Sequence, residues 1–210
     1  METLKISVLG TGDMGAAIAA ALRKRTHHDI YVRGSNEAST SAKKLADDSG
    51  LTLATEKDLH ASDIVFVVVP ADEIGQLAVI LGSYTGVVVS VSVSRQVGRD
   101  GQLSLAETLA ASLPGAKVVS AFTSMWSDVI RNPGVAKQVS AFVASDYEDA
   151  KAVVTDLAEA LGFQAINGGA LSNALYAEAM GMFAVRLAID SGYGRTISFS
   201  AVTVSDDLTH

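Results

Sequence analysis

The chain has 210 residues, 49% hydrophobic and 19% charged, which suits one core-forming domain or one domain with a short appendage. Its 16 basic and 23 acidic residues leave a formal charge of −7, which argues against nucleic acid or an anionic membrane as partner, because phosphate binding needs clustered cations. Having no cysteine, it can form no disulfide, thiolate metal site or cysteine nucleophile, and its longest apolar run, residues 64–70, falls far short of the ~18 needed to span a membrane.

The opening METLKISVLG runs straight into a strand pattern without a basic start and a separate apolar stretch. The expectation is a cytoplasmic protein without a signal peptide. Strands are predicted at 5–9, 30–33, 52–54, 64–69, 87–91, 118–122 and 140–144, alternating with helices at 14–24, 38–48, 73–81, 103–113 and 147–161. Several strands are apolar without alternation, as parallel strands covered on both faces are. The predicted class is therefore α/β, a doubly wound, mostly parallel sheet. Residues 90–101, rich in Ser, Gly and Arg, read as a long loop.

From Gly168 the rhythm changes. Gly168-Gly169 opens a stretch, 170–190, that is apolar nearly all round, as suits a helix in an interior or against another subunit. Glu178, Arg186 and Asp190 are its only charges, and their spacing predicts one shared face. Residues 1–167 are accordingly expected to form the main domain, and 168–210 a helical segment completing a pocket or a dimer interface. The tail, 203–210, reads as exposed.

The strongest chemical signal is Gly10-Thr11-Gly12-Asp13-Met14-Gly15, a G-x-G-x-x-G that leaves a predicted strand and opens an Ala-rich helix. Gly10 permits the tight turn, Gly12 lets backbone approach a pyrophosphate, and Gly15 lets the helix pack close. The helix start then offers unpaired N–H groups and a positive dipole end. The alternative is a glycine turn with no ligand. About 20 residues on, NAD-binding domains place an acid on the ribose 2′-hydroxyl; this chain has Arg33-Gly34-Ser35-Asn36 instead. That set suits the 2′-phosphate of NADP, unless Arg33 is only a solvated surface charge.

Strand ends should carry the rest of the site. Val69, Pro70 and Ala71 fall beside the expected nicotinamide ribose. The loops Ser92–Arg95, including Ser94 and Arg95, and Thr123-Ser124-Met125-Trp126 would form a second-substrate pocket; ordinary loop for the first and a core anchor for Trp126 are the alternatives. No acid–base pair is evident, so the catalytic residues are unassigned, and the four histidines lack metal-ligand spacing.

These residues together resemble the coenzyme F420-dependent NADP oxidoreductases, through V-L-G-T-G-D-M-G, Gly34-Ser35, V-V-V-P before Ala71, V-S-R (93–95), V-V-S-A-F (118–122) and G-x-L-S-N (169–173) with Glu178. The resemblance implies a Rossmann-type fold and homodimers. It also implies hydride transfer between NADP(H) and a small molecule, with the deazaflavin coenzyme F420 as candidate second substrate. Ser172 and Asn173 join the expected pocket on this basis. Two positions depart from the family: Thr123-Ser124 stands where His or Asn followed by Thr is usual, and Leu175 where an arginine is usual. The competing readings are a non-catalytic NADP-binding sensor and an NADPH-dependent imine, ketone or ferric reductase.

Overall fold

Successive side chains of a strand point to opposite faces, so a strand apolar throughout needs cover on both sides. The computed structural model, which describes residues 2–34, 39–97, 103–132 and 139–203, supplies that cover. One sheet contains β1 (Lys5–Leu9), β2 (Asp29–Arg33), β3 (Thr52–Leu53), β4 (Ile64–Val67), β5 (Val87–Ser90), β6 (Lys117–Ser120), β7 (Ser140–Ala144) and β8 (Gln164–Gly169). The spatial order is β3-β2-β1-β4-β5-β6-β7-β8, with every neighbouring pair parallel except β6/β7. The first six strands have the doubly wound Rossmann order, whose reversal between β1 and β4 opens a crevice at their carboxyl ends.

The helices are α1 (Asp13–Arg25), α2 (Thr40–Ser49), α3 (Glu56–His60), α4 (Leu77–Leu81), α5 (Leu105–Ser112), α6 (Ser127–Arg131), α7 (Glu148–Ala160) and α8 (Ala174–Ile189), with 3-10 turns at Ala71–Gln76 and Leu171–Asn173. Ile6, Val8, Ile64 and Phe66 meet Ile18 and Leu22 of α1 on one side of the sheet. Leu9, Val65 and Val67 meet Leu59, Leu81 and Leu109 of α3, α4 and α5 on the other. Each such side chain contributes roughly 1.5–3 kcal/mol against at most ~1 for an exposed ion pair, so double-sided burial fixes the strand register. None of the described helices is long and apolar enough to cross a membrane.

The predicted α/β class holds, and the predicted strands end within two residues of the observed ones. The helix expected at 73–81 is a 3-10 turn followed by α4. The sequence pattern predicts no strand at β8: Q-A-I-N-G-G is half-exposed at the sheet edge and spans residues 167 and 168, where the two predicted segments meet.

In helix α8 the three charges do not share the face predicted for them. Its buried face is built from small residues, Ala174, Ala177, Gly181, Ala184 and Ala188, whereas Tyr176, Phe183 and Ile189 are exposed. Glu178 is wholly buried, while Arg186 and Asp190 are exposed and paired at 3.1 Å. Eight residues rotate a helix position by about 80°, enough to carry Glu178 away from the charged face.

Candidate dinucleotide cleft

The glycine turn divides into positions the protein needs and one it does not. Gly10 leaves β1 at φ +115°, donates its N–H to the Arg33 carbonyl at 2.8 Å, and has no room for a Cβ, which would lie 2.0 Å from the Val68 carbonyl oxygen. A Cβ at Gly15 would lie 1.9 Å from the Gly10 oxygen, so α1 sits directly on the turn. Gly12 differs. It is the N-cap of α1, supplies no side-chain cap, and a Cβ there would meet nothing within 4 Å. The start of a 13-residue helix therefore presents its first-turn amides and positive dipole end toward open space, a cradle that suits a diphosphate.

Beside this turn, Arg33 at the end of β2 is only 6% exposed, which excludes the solvated-charge alternative. Gly34 packs on Ser39, and the Thr11 hydroxyl lies 2.7 Å from that of Ser41 at the start of α2. Ser35 and Asn36 lie outside the described residues. After β4, the Val69 carbonyl accepts the Ser92 hydroxyl at 2.5 Å, and Pro70 leads into the 3-10 turn beginning at Ala71.

A cleft of about 290 Å³ runs from Gly12, Asp13 and Met14 past Val68, Val69 and Val91–Val93 to Thr123, Met125 and Trp126. Gly181, Ala184 and Val185 of α8 close it. Gly181 is required there, because a Cβ would lie 2.2 Å from the Thr123 carbonyl oxygen. The loop carrying Thr123 begins at Phe122, a buried non-glycine residue at φ +61°. That conformation costs about 1–3 kcal/mol, and the rings of Phe66 and Phe163, at 6.1 and 6.0 Å, hold it.

The structure thus joins Ser92, Thr123 and Trp126. Ser94 and Arg95 border an adjoining depression with Pro70, Ala71 and Asp72, continuous through Val93. Ser124 is buried and lines neither. Ser172 and Asn173 are exposed in the turn before α8; Asn173 donates to the Gly168 carbonyl at 2.8 Å and borders a separate groove with Phe142, Tyr176 and Met180.

Two further features escape local sequence patterns. At the cleft mouth, Arg195 donates to Asp13 Oδ2 at 2.7 Å and to Ser127 Oγ at 2.9 Å. Its guanidinium lies 5.3 Å over the Trp126 ring. The Arg195 bond holds the Asp13 carboxyl below its usual range, helped by Arg131. Trp126 Nε1 is buried without a hydrogen-bond partner among the described residues. Behind the cleft, the Glu178 carboxylate accepts the N–H groups of Leu105 and Ala106 at 3.0 and 3.2 Å. Burial nevertheless outweighs those bonds and raises its pKa to about 7. Among the described residues, no group of three His, Asp or Glu is arranged to hold a metal.

Residues 5–94 match the family described as NADP oxidoreductase, coenzyme F420-dependent, which bears out the resemblance read from the sequence. A metalloreductase STEAP3 from Rattus norvegicus is 27% identical over 183 residues, 85% of this chain; the chain spans about a third (36%) of that relative. Among solved structures, a candidate F420-dependent NADP-reductase from Arthrobacter sp. FB24 is 23% identical, with TM-score 0.81 over 95% of this chain and 100% of that one. A reductive aminase from Aspergillus terreus, in complex with NADPH and ethyl levulinate, is 18% identical, with TM-score 0.63 over 88% of this chain and 62% of its own.

Proposed function

We propose that this chain, which matches the F420-dependent NADP oxidoreductase family over residues 5–94, is an NADP(H)-dependent oxidoreductase. It would move a hydride between NADP(H) and a second small molecule, with coenzyme F420 a candidate. The observation that carries this reading is the pairing of a glycine turn open at Gly12 with a buried Arg33 at the end of the next strand. In it, the first-turn amides of α1 hold the diphosphate, Arg33 receives the 2′-phosphate, and Val69–Ala71 flank the nicotinamide ribose.

When bound, the reduced nicotinamide supplies the hydride. The chain supplies geometry and exclusion of water: valines, Met125 and Trp126 line the cleft, and α8 closes it. Among the described residues lining this cleft, Asp13 is the sole carboxyl or amine, and it is held by arginines. That suits transfer needing no strong acid or base. It also suits the second reading, a non-catalytic NADP sensor. The exposed Tyr176, Phe183 and Ile189 of α8 support a homodimer.

Titration with NADPH and NADH tests the cofactor, and tighter NADPH binding is expected; tighter NADH binding, or binding of neither, refutes it. A screen of deazaflavin, flavin, imine, carbonyl and ferric acceptors with NADPH separates enzyme from sensor. Turnover of any of them rejects the sensor.

A further inference from the structure

This inference rests on the dinucleotide reading and concerns a charge within the glycine turn. Asp13 is the first residue of α1. A carboxylate there stabilises the helix but opposes a diphosphate drawn to the same amides. Across ~7 Å, at an effective dielectric constant of 20–80, one such repulsion weakens binding about three- to fifty-fold.

Two arginines answer that charge. Arg131 donates to the Asp13 carbonyl at 2.9 Å and lies 3.6 Å from its carboxylate, but it also serves Asp128 at 3.2 Å. Arg195 makes the shorter bond, 2.7 Å to Asp13 Oδ2, while its Nε lies 3.3 Å from Asp128. The segment carrying Arg195 is anchored on both sides. Tyr193 and Gly194 donate to the Leu187 and Ala188 carbonyls at the end of α8. Farther on, the Phe199 carbonyl accepts the Ser140 N–H at 2.9 Å, and its ring stacks on Phe183 at 6.1 Å. These anchors hold the guanidinium against Asp13 and Trp126, both of which line the cleft.

We propose that Arg195 is a positioning residue for the dinucleotide: it holds and neutralises the Asp13 carboxylate, so that the first turn of α1 meets the diphosphate without an opposing charge. It acts through Asp13 and does not touch the ligand.

The test is a double-mutant cycle read by NADPH affinity in calorimetry. In low salt, Arg195→Ala weakens NADPH binding about tenfold, and the gap closes toward about twofold at 1 M salt, where the screening length is ~3 Å. Arg195→Lys keeps the charge and recovers affinity to within about threefold of the parent. Asp13→Asn binds at least as tightly as the parent, and Asp13→Asn/Arg195→Ala recovers affinity to about that of the parent, because the carboxylate and the charge that answers it are removed together. An Arg195→Ala variant within about twofold of the parent in low salt overturns the proposal. So does a double variant as weak as Arg195→Ala, which makes Arg195 a direct ligand contact. If the parent binds no dinucleotide, the underlying reading falls and takes the proposal with it.

Discussion

Glu178→Gln probes the most heavily buried ionisable group behind the cleft. The carboxyl of Glu178 is wholly buried, accepts from the N–H groups of Leu105 and Ala106, and feels the repulsion of the Glu107 carboxylate. Its pKa is raised from 4.5 to about 7. Between these values the folded chain holds a proton that the unfolded chain has released, so stability falls as pH rises from 4.5 and levels off above 7. With the pKa raised from 4.5 to about 7, and 1.36 kcal/mol for each pH unit between, the loss is about 3 kcal/mol.

Gln keeps the shape without the titration. Urea unfolding at pH 5, 6, 7 and 8 should show Glu178→Gln less stable than the parent at pH 5, by about 1–2 kcal/mol for a compromised hydrogen bond. By pH 8 it should be equal to the parent or more stable. His28, whose pKa burial lowers, contributes stability that is lost as pH falls through the histidine range. Its slope is opposite to that of Glu178 and common to both proteins, so it cancels in the difference. Parallel stability profiles for parent and variant would refute the reasoning.

The glycines separate fold from ligand. Gly15→Ala places a Cβ 1.9 Å from the Gly10 oxygen and should lower unfolding free energy by ~1–3 kcal/mol or more, seen as a drop in the urea midpoint. Gly12→Ala meets no protein atom within 4 Å and should keep the parent midpoint while losing NADPH affinity. Gly181→Val forces side-chain atoms onto the Thr123 carbonyl, and its thermal midpoint should fall with a loss of ~1–3 kcal/mol. Arg33→Ala should cut the preference for NADPH over NADH about tenfold or more in paired titrations, the share of one charge-assisted hydrogen bond.

Much of this fold is legible in the sequence because parallel strands buried on both faces announce themselves: Ile64–Val67 and Val87–Ser90 are unbroken apolar runs ended by Pro or Ser. β8 is not, since a half-exposed edge strand needs few aliphatic residues and its two glycines read as a turn. The glycine turn is legible because its spacing reflects backbone geometry at Gly10 and Gly15. Arg195 is not, because its partner Asp13 is 182 residues away and no periodicity links them. The charged face predicted for α8 leaves out Glu178, because the eight residues to Arg186 turn the helix by about 80° and carry the carboxyl to the side packed on α5.

The sheet has one weak seam. β1 pairs with β2 through five residues and β4 with β5 through four, but β6 meets the reversed β7 at a single pair, Ser120 with Ala144, aided by the Ser145 hydroxyl on the Val118 carbonyl at 2.7 Å. Thermal breathing should start at this join: β7, α7 and β8 would swing as a leaf while the six parallel strands stay shut. Amide deuteration would then mark this leaf well before the glycine turn, and a protease nick there would leave the nucleotide half standing.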